Sequence, residues 1–219
     1  MSTRAGAVEM SVGPAVRRTQ LERRTEAERA LLEAAVHLIA AKGADQTSLA
    51  EIGERAGFSR GLVNHHFGSK AALVERLAAR TQQQFIDSLE LAGVEDELDA
   101  LVRLARAYLD AARAGGDVVR AFFVMWGAAT AADAPLRPVF VTDDERFRDT
   151  VQALLATGQA RGAIDAEVDA VGFAVNFVAM LRGAAAQFLV DERVDLVAAR
   201  DTCERVILLM LTPIGGTDR

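Results

Sequence analysis

The segment 47–70, TSLAEIGERAGFSRGLVNHHFGSK, constrains the fold more than any other part of this 219-residue chain. Ser48 and Glu51 have the spacing of a capping box, which predicts the start of a helix of about two turns. Gly57 ends that helix, and Ser59 caps a second short helix that runs to about residue 65. Two short helices joined by a glycine turn predict a helix-turn-helix.

The two helices of such a motif cross closely, so a small residue is needed where they touch. Gly53 meets that need, and apolar side chains that would lock the helices together surround it: Ile52, Ala56, Phe58 and Val63. The exposed side of the second helix is then left with a polar set of residues, Arg60, Gly61, Asn64 and His65. A polar helix face of this size suits the major groove of DNA.

This segment resembles the DNA-binding signature of the TetR family of bacterial transcription regulators. The likeness covers about residues 25–77, and the positions that match the family motif are Gly57, Ser59, Gly61, His66, Phe67, Ser69 and Lys70. One position departs, because the family usually has a phosphate-contacting tyrosine where this chain has the shorter Asn64. The resemblance implies an all-α fold, with an N-terminal helix-turn-helix three-helix domain joined by a long fourth helix to a C-terminal ligand-binding and dimerisation domain.

A cation in the first turn of a helix is disfavoured by the helix dipole, so Lys70 there suggests that a phosphate docks beside it. Together with the resemblance, this gives the residues expected to contact double-stranded DNA at a palindromic operator. They are Thr47, Ser48, Ser59, Arg60, Gly61, Leu62, Asn64, His65, His66 and Lys70.

Charge divides the chain in the same way. Residues 1–80 carry 12 Lys and Arg against 9 Asp and Glu, whereas residues 81–219 carry 13 against 22. A basic head on an acidic body is typical of a separate DNA-binding domain. We therefore expect a disordered basic arm over 1–20, a helix-turn-helix domain over 21–80 and a ligand-binding and dimerisation domain over 81–219. The arginines of 17–24 fit either a solvated helix entry or an arm that touches the minor groove.

Periodicity between breakers predicts the other helices. The first is expected over 25–42, from a Thr25/Glu28 capping box to Gly43, and the fourth from Lys70 to about Gly93. Five more are expected over 95–114, 118–131, 135–161, 168–190 and 195–212, the third of them with a candidate break near Thr142. With four prolines and 5% aromatic residues, the composition also favours helices over strands.

Large apolar side chains in the C-terminal half fit either a ligand pocket or ordinary core. The candidate pocket residues are Phe122, Met125, Trp126, Phe147, Phe173, Asn176, Phe177 and Met180. Asn176 and Arg182 stand out because a buried polar group needs a partner, either a ligand or a neighbouring helix.

The last two helices suggest a subunit interface. Small residues at 183–186 allow close helix approach, and 206–211 is apolar nearly all round, as expected of a homodimer contact. Cys203, the one cysteine, is expected to be buried and inert, in keeping with a reducing cytoplasm. The apolar run 171–190 is interrupted by Asn176, Arg182 and Gln187, so we interpret it as a buried helix and not as a membrane span.

Other classes of function find less support. The sequence has no Gly-rich phosphate loop, His-Glu metal pair or Gly-x-Ser-x-Gly elbow, which argues against an enzyme. Adjacent His65 and His66 point about 100° apart on a helix, so we expect neither a metal site nor a cofactor. The expected function is a repressor released from DNA by a small, largely apolar molecule. The alternative is a DNA-binding helical dimer controlled by a protein partner or lacking a ligand.

Overall fold

The computed structural model describes residues 19–88, 96–131 and 134–213, with the side chains of 82–88 excepted. These residues form nine α-helices and no strand, which confirms the all-α prediction. The helices are α1 Gln20–Lys42, α2 Leu49–Ala56, α3 Arg60–Phe67, α4 Lys70–Ser88, α5 Glu97–Ala114, α6 Gly116–Ala128, α7 Arg137–Ala160, α8 Ala170–Val190 and α9 Leu196–Leu211.

Helix α1 begins earlier than the sequence analysis predicts. Its capping box is formed by Thr19 and Glu22, each accepting a hydrogen bond from the other's backbone N–H. The predicted Thr25 cap is wrong: Thr25 lies inside the helix, and its hydroxyl donates to the Leu21 carbonyl. Both pairs have the same Thr-x-x-Glu spacing. With the upstream pair the helix gains further backbone hydrogen bonds, beginning with that from the Arg23 N–H to the Thr19 carbonyl at 3.2 Å.

The caps of α2 and α3 are as predicted, with Ser48 and Ser59 as N-caps and Gly57 in the left-handed conformation between the two helices. The candidate break near Thr142 is wrong, because α7 runs unbroken from Arg137 to Ala160. The predicted end of α4 near Gly93 lies outside the described residues, as does almost all of the predicted arm.

Buried apolar residues form two clusters. The head core joins α1 to α4 with Ala121, Met125 and Phe140 from α6 and the start of α7. The body core joins α5, α8 and α9 with Val151 and Leu155 from the second half of α7. Helix α6 therefore packs along α1, while α7 enters both cores.

Helix α8 is the one described helix long and apolar enough to cross a membrane by length and composition. Its inner face, with Phe177 and Leu181, is packed in the body core. This burial agrees with its interpretation as a core helix.

Candidate DNA-binding surface and ligand cavity

The crossing of α2 and α3 depends on a glycine. A Cβ atom on Gly53 would lie 2.8 Å from the Phe58 carbonyl oxygen and 3.0 Å from Val63 Cγ2, so any side chain there would push the helices apart. Ile52 and Val63 are fully buried beside it. The close contact at Gly53 predicted from the sequence is therefore present, and it fixes how α3 is presented to solvent.

Four of the predicted contact residues form the outer face of α3: Arg60, Gly61, Asn64 and His65 are all exposed. The Arg60 guanidinium has no ion pair with any side chain that the structure describes. Ser59, also exposed, uses its hydroxyl to accept a hydrogen bond from the Leu62 N–H. The structure thus places Arg60, which no described side chain pairs with, on the same exposed helix face as two polar side chains.

Three predicted contact residues have less exposed side chains. Thr47 is 2% exposed, and its hydroxyl donates to the Gly43 carbonyl 2.8 Å away. Its side chain supports the turn before α2, so we remove it from the candidate surface. Leu62 and His66 are half-buried, and burial lowers the pKa of His66, with Arg24 a smaller cause.

The only two lysines of the chain both secure the turn between α1 and α2. Lys42 Nζ lies 2.5 Å from Glu51 Oε1, and with the Ser48 hydrogen bonds this contact lowers the pKa of Glu51 to about 2. Lys70 Nζ donates to the Asp45 carbonyl oxygen at 2.8 Å. A protein carbonyl thus satisfies one of the three donors of Lys70. Ser48, by contrast, is exposed at the N-terminus of α2.

A buried arginine lies where the two cores meet. Arg182 of α8 is 5% exposed and pairs with Asp144 through Nη1, while its Nη2 lies 3.7 Å from Asp143 Oδ2. The guanidinium carbon also lies 5.2 Å from the centre of the Trp126 ring and 5.6 Å from that of Phe122. We call these five residues the arginine cluster. It ties α8 to α6 and α7 by charge pairing and by cation–π contact.

Burial changes the acid–base properties of groups in and beside the arginine cluster. It raises the pKa of Asp143 to about 6, because the loss of hydration outweighs the attraction of Arg182. It also raises the pKa of neighbouring Tyr108 to about 12. Asp144 accepts a further hydrogen bond from Trp126 Nε1 at 3.4 Å. Asp143 therefore titrates closer to neutral pH than an ordinary aspartate does.

A cavity of about 330 Å³ adjoins the arginine cluster between α6, α7 and α8. Of the eight predicted pocket residues, Trp126 lines it. Met125 is fully buried in the head core, Phe173 and Phe177 are buried in the body core, and Phe147 and Met180 pack against the body core. Phe122 packs on the head core beneath Arg182.

Asn176 is misplaced by the sequence analysis. It is exposed on the outer face of α8, where its amide donates to the Gly172 carbonyl one turn earlier, so it does not line the cavity. Sequence reasoning also missed Asp143, Asp144 and Arg148. The available signal was Arg182, a lone cation in an apolar helix that requires a buried partner.

The outer faces of α8 and α9 leave apolar side chains uncovered. Of the ten large apolar residues found exposed in the described part of the chain, seven lie on these two helices: Val171, Val175, Val190, Val197, Leu208, Leu209 and Met210. The inner residues Ile207 and Leu211 are buried, so 206–211 has one packed and one open side. Cys203 is buried as predicted, and burial raises its thiol pKa.

Two family models match the chain. Residues 31–77 match the family model of bacterial regulatory proteins of the tetR family, and residues 97–212 match that of the BetI-type transcriptional repressor C-terminal domain. The sequence analysis had not predicted this sub-family. The chain is 28% identical to the HTH-type transcriptional regulator BetI of Paraburkholderia phytofirmans over 180 residues, covering 81% of this chain and 91% of that one.

Solved structures give the same result. A putative transcriptional regulator from Saccharomonospora viridis in complex with choline is 25% identical, with a TM-score of 0.73 over 86% of this chain and 98% of that one. A putative TetR-family regulator from Rhodococcus sp. shares the fold, with 21% identity and a TM-score of 0.75 over 86% of this chain and 100% of that one. The chain belongs to the TetR family of bacterial transcription regulators, with a C-terminal domain of the BetI type.

Proposed function

We propose that this chain is a non-catalytic cytoplasmic repressor that binds a palindromic operator as a homodimer and is released by a small, largely apolar molecule. The proposal assigns operator binding to residues 21–80 and ligand binding and dimerisation to 81–219. The observation that carries it is the exposed face of α3, which presents Arg60, Asn64 and His65 on a helix held rigidly by the Gly53 crossing.

Arg60 is the residue best suited to read a base. It lies in the first turn of α3, is unpaired among the described side chains, and carries a guanidinium that can donate two hydrogen bonds to guanine. After the operator is found by selection from random duplexes, Arg60→Ala should weaken operator binding by about 1–3 kcal/mol and relax preference at one position per half-site.

The control for this experiment is Arg29→Ala, which removes an exposed arginine from α1. It should leave operator affinity nearly unchanged. The assignment fails if Arg60→Ala weakens binding to random duplex as much as binding to operator, because a phosphate contact alone would behave in that way.

The apolar outer faces of α8 and α9 support a two-fold dimer, because seven of the ten large apolar side chains found exposed among the described residues lie on these two helices. Sedimentation at micromolar concentration should give twice the chain mass of 23.4 kDa. Leu209→Glu changes a side chain that is 82% exposed and should shift the protein toward monomer without unfolding it.

Two docked heads require half-sites on one face of the duplex, roughly 34–36 Å apart, so inserting five base pairs between them should weaken binding sharply.

Ligand control is supported by the cavity beside the arginine cluster, whose walls come from helices of both cores. A screen for compounds that release the operator should include choline, the ligand of the S. viridis relative. Failure of every compound, with operator binding intact, would favour the alternative of control by a protein partner or of no ligand control.

A further inference from the structure

The cavity between α6, α7 and α8 has one aromatic wall, one charged wall and one wall of small side chains. Trp126 provides the first, Asp144, Arg148 and Arg182 the second, and α8 the third, through Val175, Val178 and small residues after them. Its volume of about 330 Å³ is at the lower end of ligand cavities, which span roughly 300–1,000 Å³. A short apolar chain bearing one polar group fits a space of this kind.

The groups that would bind an organic cation are already occupied. Such a ligand would need an aromatic face and a carboxylate, here Trp126 and Asp144. The guanidinium of Arg182 already contacts both groups. Its carbon lies 5.2 Å from the Trp126 ring centre, and its Nη1 pairs with Asp144. Displacing it would leave a buried charge without a partner, which is strongly unfavourable. The chain therefore supplies its own cation at this position.

Arg148 is in the opposite situation. It lies one helical turn after Asp144 on α7, the spacing at which an Asp and an Arg usually pair. The Asp144 carboxylate instead turns to Arg182 and to Trp126 Nε1, which donates to it at 3.4 Å. Arg148 is half-buried and makes no ion pair with any other side chain that the structure describes. The cavity wall thus carries one guanidinium that no described side chain pairs with, whereas Arg182 is paired with two carboxylates.

We propose that this cavity binds an amphipathic anion, a carboxylate on a short apolar chain. Arg148 holds the carboxylate, and Trp126 and Val178 cover the chain. The effector role of this ligand rests on the proposed repressor function, but its binding does not. Because Trp126 belongs both to α6 and to the arginine cluster, an occupied cavity acts on the helix that packs along α1.

Trp126 is the only tryptophan of the chain, so intrinsic fluorescence reports on this cavity directly. The probe is octanoate, compared with octyltrimethylammonium and 1-octanol, all below the concentrations at which they aggregate. Octanoate should give a saturable change in Trp126 emission and bind at least tenfold more tightly than either comparison compound. Arg148→Gln should weaken octanoate binding at least tenfold, whereas Arg146→Gln, an exposed arginine two residues earlier on α7, should leave it unchanged.

Tighter binding of the ammonium compound, or equal octanoate binding by wild type and Arg148→Gln, would overturn the proposal. Circular dichroism of both variants confirms that they are folded. Operator binding is measured separately by fluorescence anisotropy with labelled duplex. A protein that binds octanoate but no DNA refutes the repressor and retains the anion site. A protein that binds both without any effect of octanoate on operator affinity refutes the effector role.

Discussion

The two cores of the molecule are not two consecutive stretches of the chain. The head core takes in Met125 of α6 and Phe140 of α7 in addition to the helices of residues 20–88. The body core holds the second half of α7 with α5, α8 and α9. The DNA-binding helices are therefore packed on part of the C-terminal domain, and a change at α6 reaches them without passing through α4.

Two polar contacts between packed helices differ in how deeply they are buried. Where the body meets the head, the joining group is the buried arginine cluster, with Arg182 5% exposed. Where α1 meets α6, it is the exposed pair His37 and Asp117, whose side chains are 46% and 50% exposed. A buried charge is costly to leave unpaired and an exposed one is not, so only the first joint should be sensitive to loss of one partner.

The largest effect is expected from Arg182→Met. This change leaves Asp143 and Asp144 without their cation, so it should lower the free energy of unfolding by about 3–5 kcal/mol. Urea unfolding followed by circular dichroism measures it. The triple variant Arg182→Met/Asp143→Asn/Asp144→Asn should recover most of the loss. A single variant within about 1 kcal/mol of wild type would contradict the role given to the cluster.

The next effect concerns pH. The folded pKa of Asp143, about 6, lies above its ordinary value of 3.8, so the folded state binds this proton more tightly than the unfolded state. The contribution of protonated Asp143 to the free energy of unfolding is therefore present at low pH and is lost as pH rises through 6. Asp143→Asn should remove this dependence, so its unfolding free energy relative to wild type should rise by about 2 kcal/mol between pH 4 and pH 7. Asp149→Asn, on an exposed side chain of the same helix, is the control.

A smaller loss is expected at the α2–α3 crossing. Gly53→Ala places a methyl group against the Phe58 carbonyl and Val63, and should cost about 1–3 kcal/mol and abolish operator binding by tilting α3. Gly61→Ala is the matched variant, because its methyl group meets nothing closer than Ser59 Oγ at 3.8 Å. It should leave stability equal or higher by up to about 1 kcal/mol. Equal losses in the two variants would refute the close crossing.

The smallest effect is expected at the exposed joint. A double-mutant cycle of His37→Ala and Asp117→Ala should give a coupling below about 1 kcal/mol that falls as salt is added. A coupling as large as the loss expected for Arg182→Met, about 3–5 kcal/mol, would show that charge and not apolar packing holds α1 against α6.

The head could be predicted from the sequence because its signals act over a few residues. Ser48, Gly57 and Ser59 each cap or end a helix through neighbours within three or four positions, and Gly53 is required by a helix only a few residues away. The same local rule led to the wrong start for α1, because the predicted cap, Thr25 with Glu28, and the observed cap, Thr19 with Glu22, have identical spacing. Local pattern alone could not distinguish them.

The cavity could not be predicted in this way, because its residues come from three helices. Asp144 and Arg182 are 38 positions apart, and no periodicity within α7 or α8 links them. The aromatic residues were assigned to a pocket by type, but which ring faces the cavity and which faces a core depends on packing between helices. Asn176 was misplaced for the same reason, since its sequence neighbours are apolar whether that side of α8 is buried or open.

The engagement of both lysines has a consequence for chemical modification. Lys42 and Lys70 carry the only ε-amino groups of the chain, and both hold the turn between α1 and α2. Acylation of either amine removes its charge and the contact it makes. A reagent selective for ε-amino groups will therefore modify only residues 42 and 70, both in the proposed DNA-binding head, and no side chain of residues 81–219.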